Sequence, residues 1–194
     1  MKTALVVMVL AAALAGGWAK YTSTRNRLME QREAVAAQWA QVDAALQERA
    51  DLVSRLAGIL KKFTAQPSGV FERAAEACAA LKRAATPQEK IRANQRLDAE
   101  LARLLVISEN YPKLRSSRSF LQSQDEVAEA ENRIAVERRK YNEALQRYNT
   151  SIVLFPNNVA AWLAGLSRDD AYFQTDASGA AGGARTGTLT KSHF

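Results

Sequence analysis

ENRIAVERRKYNEALQRYN, residues 131–149, decides the fold. The run contains neither proline nor glycine, and its apolar residues fall at heptad-like spacing. Ile134, Tyr141, Leu145 and Tyr148, continued by Ile152 and Phe155, share one stripe of a helix. Glu131, Arg138, Asn142 and Asn149 lie on or beside the same stripe. A solvated linker has no reason to keep such order. The pattern predicts a long bundle helix whose register is fixed by polar pairs.

Working outward, a partner for that helix begins at Leu28. Leu28, Val35, Trp39, Val42, Leu46, Val53, Leu56, Leu60 and Phe63 fit alternating steps of three and four, broken only by Arg32 and Arg49. Such a seam belongs to a coiled-coil-like helix. AQPSG (65–69) ends it, because proline cannot continue the ladder. A second helix, VFERAAEACAALKRAA, carries small alanines suited to close packing. TPQE (86–89) opens a third, with Thr86 at the N-cap, Pro87 in the first turn and Glu89 completing a capping box. That helix ends near Asn110. YPKLRSS (111–117) connects to the fourth, which Ser119 and Gln122 are placed to cap and Pro156 to stop. Asn157 or Asn158 is placed to cap a final apolar turn, VAAWLAGL.

Helices one and four are about twice as long as two and three, and short loops make neighbours antiparallel. The expected fold is therefore all-α: a long antiparallel helical bundle, with four helices distally and a two-helix stalk nearer the N-terminus. Pairing Ala65 with Ser119 sets Trp39 beside Leu145. It also faces Arg49 and Asp51 toward Glu131 and Arg138, so the polar breaks of the two seams coincide. With Asn142, these residues are the expected register determinants. Trp39, Val42, Leu46, Val53, Leu56, Ile134, Tyr141, Leu145 and Tyr148 form the expected apolar seam. The alternative is that the polar side chains reach solvent at the seam's edge.

Residues 3–19 carry no charge and sit at the lower limit for a helical membrane span. Either Ala13-Leu14-Ala15 before Gly16 is a secretory cleavage site, or the segment remains as a single-pass anchor running into helix one. Trp18, Lys20 and Tyr21 are suited to an interface, and the basic flank (Lys20, Arg25, Arg27, Arg32) favours the anchor with a cytoplasmic C-terminal domain. A cleaved signal would reverse that side. The expected domains are 1–20 as anchor or signal, 21–166 as helical bundle, and 167–194 as a disordered tail rich in Gly, Ala, Ser and Thr.

Charge and composition narrow the chemistry. The net charge is +7, with +3 over residues 20–66 and +4 over 67–118. A single cysteine, Cys78, forbids an internal disulfide and reads as a small buried helix residue. The one histidine, His193, is the penultimate residue, which excludes a histidine-based metal site or a Ser-His-Asp triad inside the bundle. There is no phosphate loop, CxxC or GxSxG. Glu131 and Glu137 are candidate carboxylates, but nothing gathers them around a nucleophile or a metal. The basic helices lack interleaved exposed aromatics, so nucleic acid is not an expected partner.

Three collinear blocks resemble the LemA family of bacterial proteins, from about Tyr21 to Gly165. The first is WAQVDAALQERADLVSRL (39–56), carried by Trp39, Asp43, Arg49, Ala50, Asp51 and Leu52. The second is SENYPKLRSSRSFLQSQDEV (108–127), with Asn110-Tyr111-Pro112 and Phe120-Leu121. The third holds Glu131-Asn132-Arg133-Ile134-Ala135 and Tyr141-Asn142. The resemblance implies a long antiparallel helical bundle behind one N-terminal membrane segment, in agreement with the periodicity. It also implies a setting in the bacterial envelope, at the inner membrane, with membrane proteases or a bacterial organelle membrane as contexts. Some relatives are similar to lipoproteins, with a cysteine after the apolar segment. Here Gly16-Gly17-Trp18 stands in that place.

The expected function is a non-enzymatic, membrane-anchored scaffold or adaptor without cofactors. Its partners are membrane lipid through the N-terminal segment and a protein: a membrane protease, a second copy, or an acidic partner at a basic tip of Lys61, Lys62, Lys113, Arg115 and Arg118. The competing reading is a membrane-binding or membrane-shaping protein in which Val159, Trp162, Leu163 and Leu166 lie in the interface. An enzyme is the remote third.

Overall fold

The computed structural model describes residues 2–63 and 69–173. Among these residues every regular element is a helix: α1 Lys2–Phe63, α2 Gly69–Arg83, α3 Pro87–Glu109, α4 Pro112–Arg115, α5 Arg118–Val153 and α6 Asn157–Leu163. The apolar N-terminal residues and the seam beginning at Leu28 belong to one unbroken helix, roughly 90 Å long at the usual rise. Its first part is long and apolar enough to cross a membrane, and residues 2–20 bury nothing against the rest of the chain.

The α1 seam packs as its spacing requires. Leu28, Val42, Leu46, Val53, Leu56 and Leu60 are wholly buried, facing Phe120, Ile134, Tyr141, Leu145 and Tyr148 of α5. Each fully buried leucine stabilises the fold by about 1.5–3 kcal/mol. Phe63 and Phe155, which continue the periodicity on paper, are exposed. Phe63 is the last residue of α1, and Phe155 lies past the end of α5, where the chain turns into α6. Arg27 meets Asn157, Trp39 meets Tyr141, Arg49 meets Glu131, and Arg55 meets Glu126. Numbers rise on α1 as they fall on α5, so the two helices run in opposite senses. The register is one helical turn from the expected one: Trp39 meets Tyr141 edge-on, where Leu145 was the expected neighbour. The offset arises because residues 112–115 form the extra turn α4, which buries Leu114 completely, so Ser119 is no reference point for the end of α1.

α2 and α3 form a hairpin on α1. Lys82 of α2 pairs with Asp51, while Lys90 of α3 reaches Asp43 at 2.6 Å. Ala74, Ala77 and Cys78 lie buried where the helices approach, and the thiol is a small packing group. The capping box of α3 forms: the Glu89 N–H donates to Thr86 Oγ1 at 3.2 Å, and the Thr86 N–H donates to the Glu89 carboxylate at 3.2 Å. Two expected caps do not. Ser117, not Ser119, accepts from the Phe120 N–H, because α5 begins two residues early. Pro156 occupies the N-cap of α6; Asn157 turns away to accept from Arg27, and Asn158, one residue inside the helix, accepts only from the adjacent Val159 N–H among the described residues.

The expected tail begins too early. Residues 167–173 pack on the bundle, with Ala171 and Phe173 buried. Gly165, at φ 66°, makes the turn that sends them there. The Gly165 N–H donates to the Trp162 carbonyl and the Leu166 N–H to the Ala161 carbonyl, the pairing that closes a helix when a glycine takes the left-handed conformation. The remainder of the expected tail with His193, and residues 64–68 with Pro67, lie outside the described residues.

Candidate functional site

Three constructions along the α1–α5 seam bear on function. The first is centred on Arg49, which α1 presents inward where a hydrophobic residue would continue its heptad. The residue is 4% exposed. It donates to Asp98 at 2.5 Å and Asn94 at 2.8 Å on α3, and to Glu131 at 2.7 Å on α5. Asn94 in turn donates to Asp98 at 3.2 Å. One planar fork therefore ties three helices, which a lysine could not do. The cavity beside it, about 460 Å³, is lined by Arg49, Asp98, Leu105, Glu131, Ile134 and Arg138. Of the predicted register set, Arg49, Glu131 and Arg138 come together here. Asp51 does not: it is exposed and pairs with Lys82, being two residues and hence about 200° around the helix from Arg49. Asn94, Asp98 and the buried Lys90 were missed by sequence reading. Their only signal is the four-residue spacing 90, 94, 98, a polar stripe bordering the apolar one.

The second construction explains the asparagines. Asn142 donates through its amide to the Phe173 carbonyl at 2.8 Å and accepts from the Phe173 N–H at 3.0 Å. Asn149, two turns on, does the same for Asp169, donating at 2.6 Å and accepting at 3.1 Å. Between them Tyr148 donates to the Ser167 carbonyl at 2.9 Å. Each side-chain amide thus stands in for a peptide group and satisfies both polar groups of one strap residue. Phe173 fills the place between Trp39 (6.0 Å between ring centres) and Tyr141 (6.0 Å, edge-on), with the Arg138 guanidinium 4.8 Å above its ring. Burial pushes the hydroxyls of Tyr141 and Tyr148 above the ordinary tyrosine range. Asn142 was placed on the seam as a register residue; its partner is the returning strap.

The third lies at the other end of the seam. Trp18, Lys20, Tyr21 and Leu163, predicted as interfacial, surround one apolar cleft of about 760 Å³ between α1 and the α5–α6 elbow. Trp162, on the same elbow, is 79% exposed and Phe155 82%. Leu166 turns back to pack on the core instead, drawn in by the Gly165 turn.

The basic tip residues Lys61, Lys62, Lys113, Arg115 and Arg118 are all exposed. None makes an ion pair among the described residues. No group of three or more histidine, cysteine or carboxylate side chains suited to a metal occurs among the described residues.

Taken together, these features define an all-helical class in which one very long helix carries an apolar N-terminal extension and a charge-locked, strapped bundle. Residues 38–182 match the LemA family, and the chain belongs to it. The matched span begins after the apolar extension and takes in the strap. The chain is similar to magnetosome protein MamQ 2 of Paramagnetospirillum magneticum (strain AMB-1), 35% identical over 79 residues, 41% of this chain and 29% of that protein. It is similar to magnetosome protein MamQ of Magnetospirillum gryphiswaldense (strain MSR-1), 30% identical over 79 residues, again 41% of this chain and 29% of the relative.

Proposed function

We propose that the chain is a membrane-tethered, non-catalytic helical scaffold of the bacterial envelope. One observation carries this reading: the uncharged, fully exposed N-terminal residues continue without a break into the helix that forms the seam with α5. A rigid helix through the interface sets the distance between membrane and bundle, as a flexible linker would not. In this reading α1 and α5 make a stalk near the membrane, and the α2–α3 hairpin thickens the far end. The exposed cations at that end engage an acidic protein. Similarity to the magnetosome proteins is in keeping with an organelle-membrane setting.

A topology reporter after Phe194, with N-terminal sequencing of the mature chain, tests the tether. The expected result is an intact N-terminus and a membrane-bound chain resisting carbonate extraction. A processed N-terminus near Gly16, or a freely soluble intact chain, overturns it. Reversing the five tip charges is expected to remove co-purifying partners while leaving membrane attachment unchanged.

A second reading, membrane-surface binding through α6, is favoured by the exposed Trp162 and Phe155 on the element that returns beside Trp18.

A further inference from the structure

We infer that the cleft between α1 and the α5–α6 elbow is a phospholipid site, holding an acyl chain with the anionic headgroup over Lys20. The inference rests on the tether proposed above. Leu14, Gly17 and Trp18 form one wall, and Phe155, Val159 and Leu163 the other. The volume, about 760 Å³, falls in the roughly 300–1,000 Å³ range of small-molecule sites.

Depth identifies the occupant. Residues 3–19 are uncharged, so Lys20 marks the polar boundary. The cleft reaches along α1 to Ala13, about 10 Å deeper at the helical rise. Amphipathic elements that lie in an interface sink about 5–10 Å. The elbow therefore sits at acyl depth, and its exposed apolar side chains have lipid as neighbour instead of water.

Two features keep the cleft open. Arg27 donates to Asn157 at 3.0 Å and fixes the start of α6 above it. At Gly17 a Cβ would meet nothing within 4 Å, so the wall there is smooth and the space unfilled. Lys20 supplies the only charge in the lining, which selects a lipid whose headgroup is net negative over a zwitterionic one.

The full chain, reconstituted in vesicles of phosphatidylglycerol and phosphatidylcholine with a diazirine-bearing acyl chain on one or the other, provides the test. Crosslinks are mapped by mass spectrometry. Labelling is expected on residues 155–163 as well as 5–10, stronger with the phosphatidylglycerol probe. Gly17→Leu, or the larger Gly17→Trp, is expected to remove label from 155–163 while leaving 5–10 labelled and the melting temperature unchanged. Lys20→Gln is expected to remove the preference for phosphatidylglycerol. Label on 5–10 without label on 155–163 overturns the site and leaves the tether standing. So does label on 155–163 that both Gly17 variants leave unchanged. No label on either segment, with the chain in the aqueous fraction, overturns both.

Discussion

At Arg49 the sequence states its own importance by breaking a seam, and the structure shows what the break does. Burying a cation is costly unless it is paired, and this one makes two ion pairs and a hydrogen bond to the Asn94 amide. Removing it strands Asp98 and Glu131, but both are about half exposed (46% and 48%) and can recruit water. Arg49→Leu is therefore expected to cost less than the about 3–5 kcal/mol of breaking a fully buried pair, measured by urea unfolding. Arg49→Lys is expected to recover only part of the loss, since an ammonium cannot span α3 and α5. The double variant Arg49→Leu with Glu131→Leu separates stability from specificity. If the network fixes register, the double variant regains stability yet pairs α1 with α5 in more than one way. A singly paired double variant would refute the register role. Tyr141 gives a pH test. Burial raises its folded pKa above the ordinary 10.0, so the unfolded chain loses its phenolic proton first. Stability is then fully present below about pH 10 and lost as pH rises toward the folded value. Tyr141→Phe is expected to flatten that alkaline loss in thermal melts, leaving a smaller slope to which Tyr148, shifted the same way by burial, contributes.

At the scale of elements, the legible features were those carried by local periodicity or by a cap. The 131–149 stripe, the Leu28–Leu60 seam and the Thr86–Glu89 box depend on residues within a few positions of one another. The misjudged features depend on what comes back from elsewhere in the chain. Nothing near Asn142 or Asn149 says that their amides will hold the backbone of 167–173, and Ser167–Phe173 has no period of its own. The register was offset because a four-residue turn, Pro112–Arg115, has no amphipathic signature. Lys90 and Asn94 were missed because polar residues on a polar helix default to solvent. The strap and the register both yield predictions. Asn142→Ala leaves the N–H and carbonyl of Phe173 without partners, about 1–3 kcal/mol of local penalty. Faster amide exchange across 167–173 is expected, with little change in α1 and α5. A short bifunctional crosslinker is expected to join Glu48→Cys to Arg133→Cys, whose native side chains meet at 2.7 Å, and not to Val136→Cys, in a background with Cys78 replaced by Ala.

For the molecule as a whole, the decisive property is that the apolar, exposed part of α1, the tether in the proposed function, and the part that builds the core are different stretches of one helix. Residues 2–20 of α1 are exposed along their length, so they contribute nothing to the core. The seam begins at Thr24 and Leu28, and the charge lock sits at Arg49, about three-quarters of the way along α1. A chain lacking residues 2–20 is accordingly expected to keep its helical circular dichroism and melting temperature. It would also lose sedimentation with vesicles except for what the elbow supplies. That remainder is the informative quantity. Trp162→Ser in the shortened chain removes a large exposed aromatic from an element whose buried residues, Asn157, Ala160 and Ala161, do not include it. The fold should therefore survive, and residual vesicle binding should vanish. If residual binding instead follows the tip cations Lys61, Lys62, Lys113, Arg115 and Arg118, it is lost in high salt, because exposed charges are screened over about 10 Å at 0.1 M. Binding through buried aromatic surface persists there. A salt titration of the shortened chain thus assigns the second membrane contact to one end of the molecule or the other.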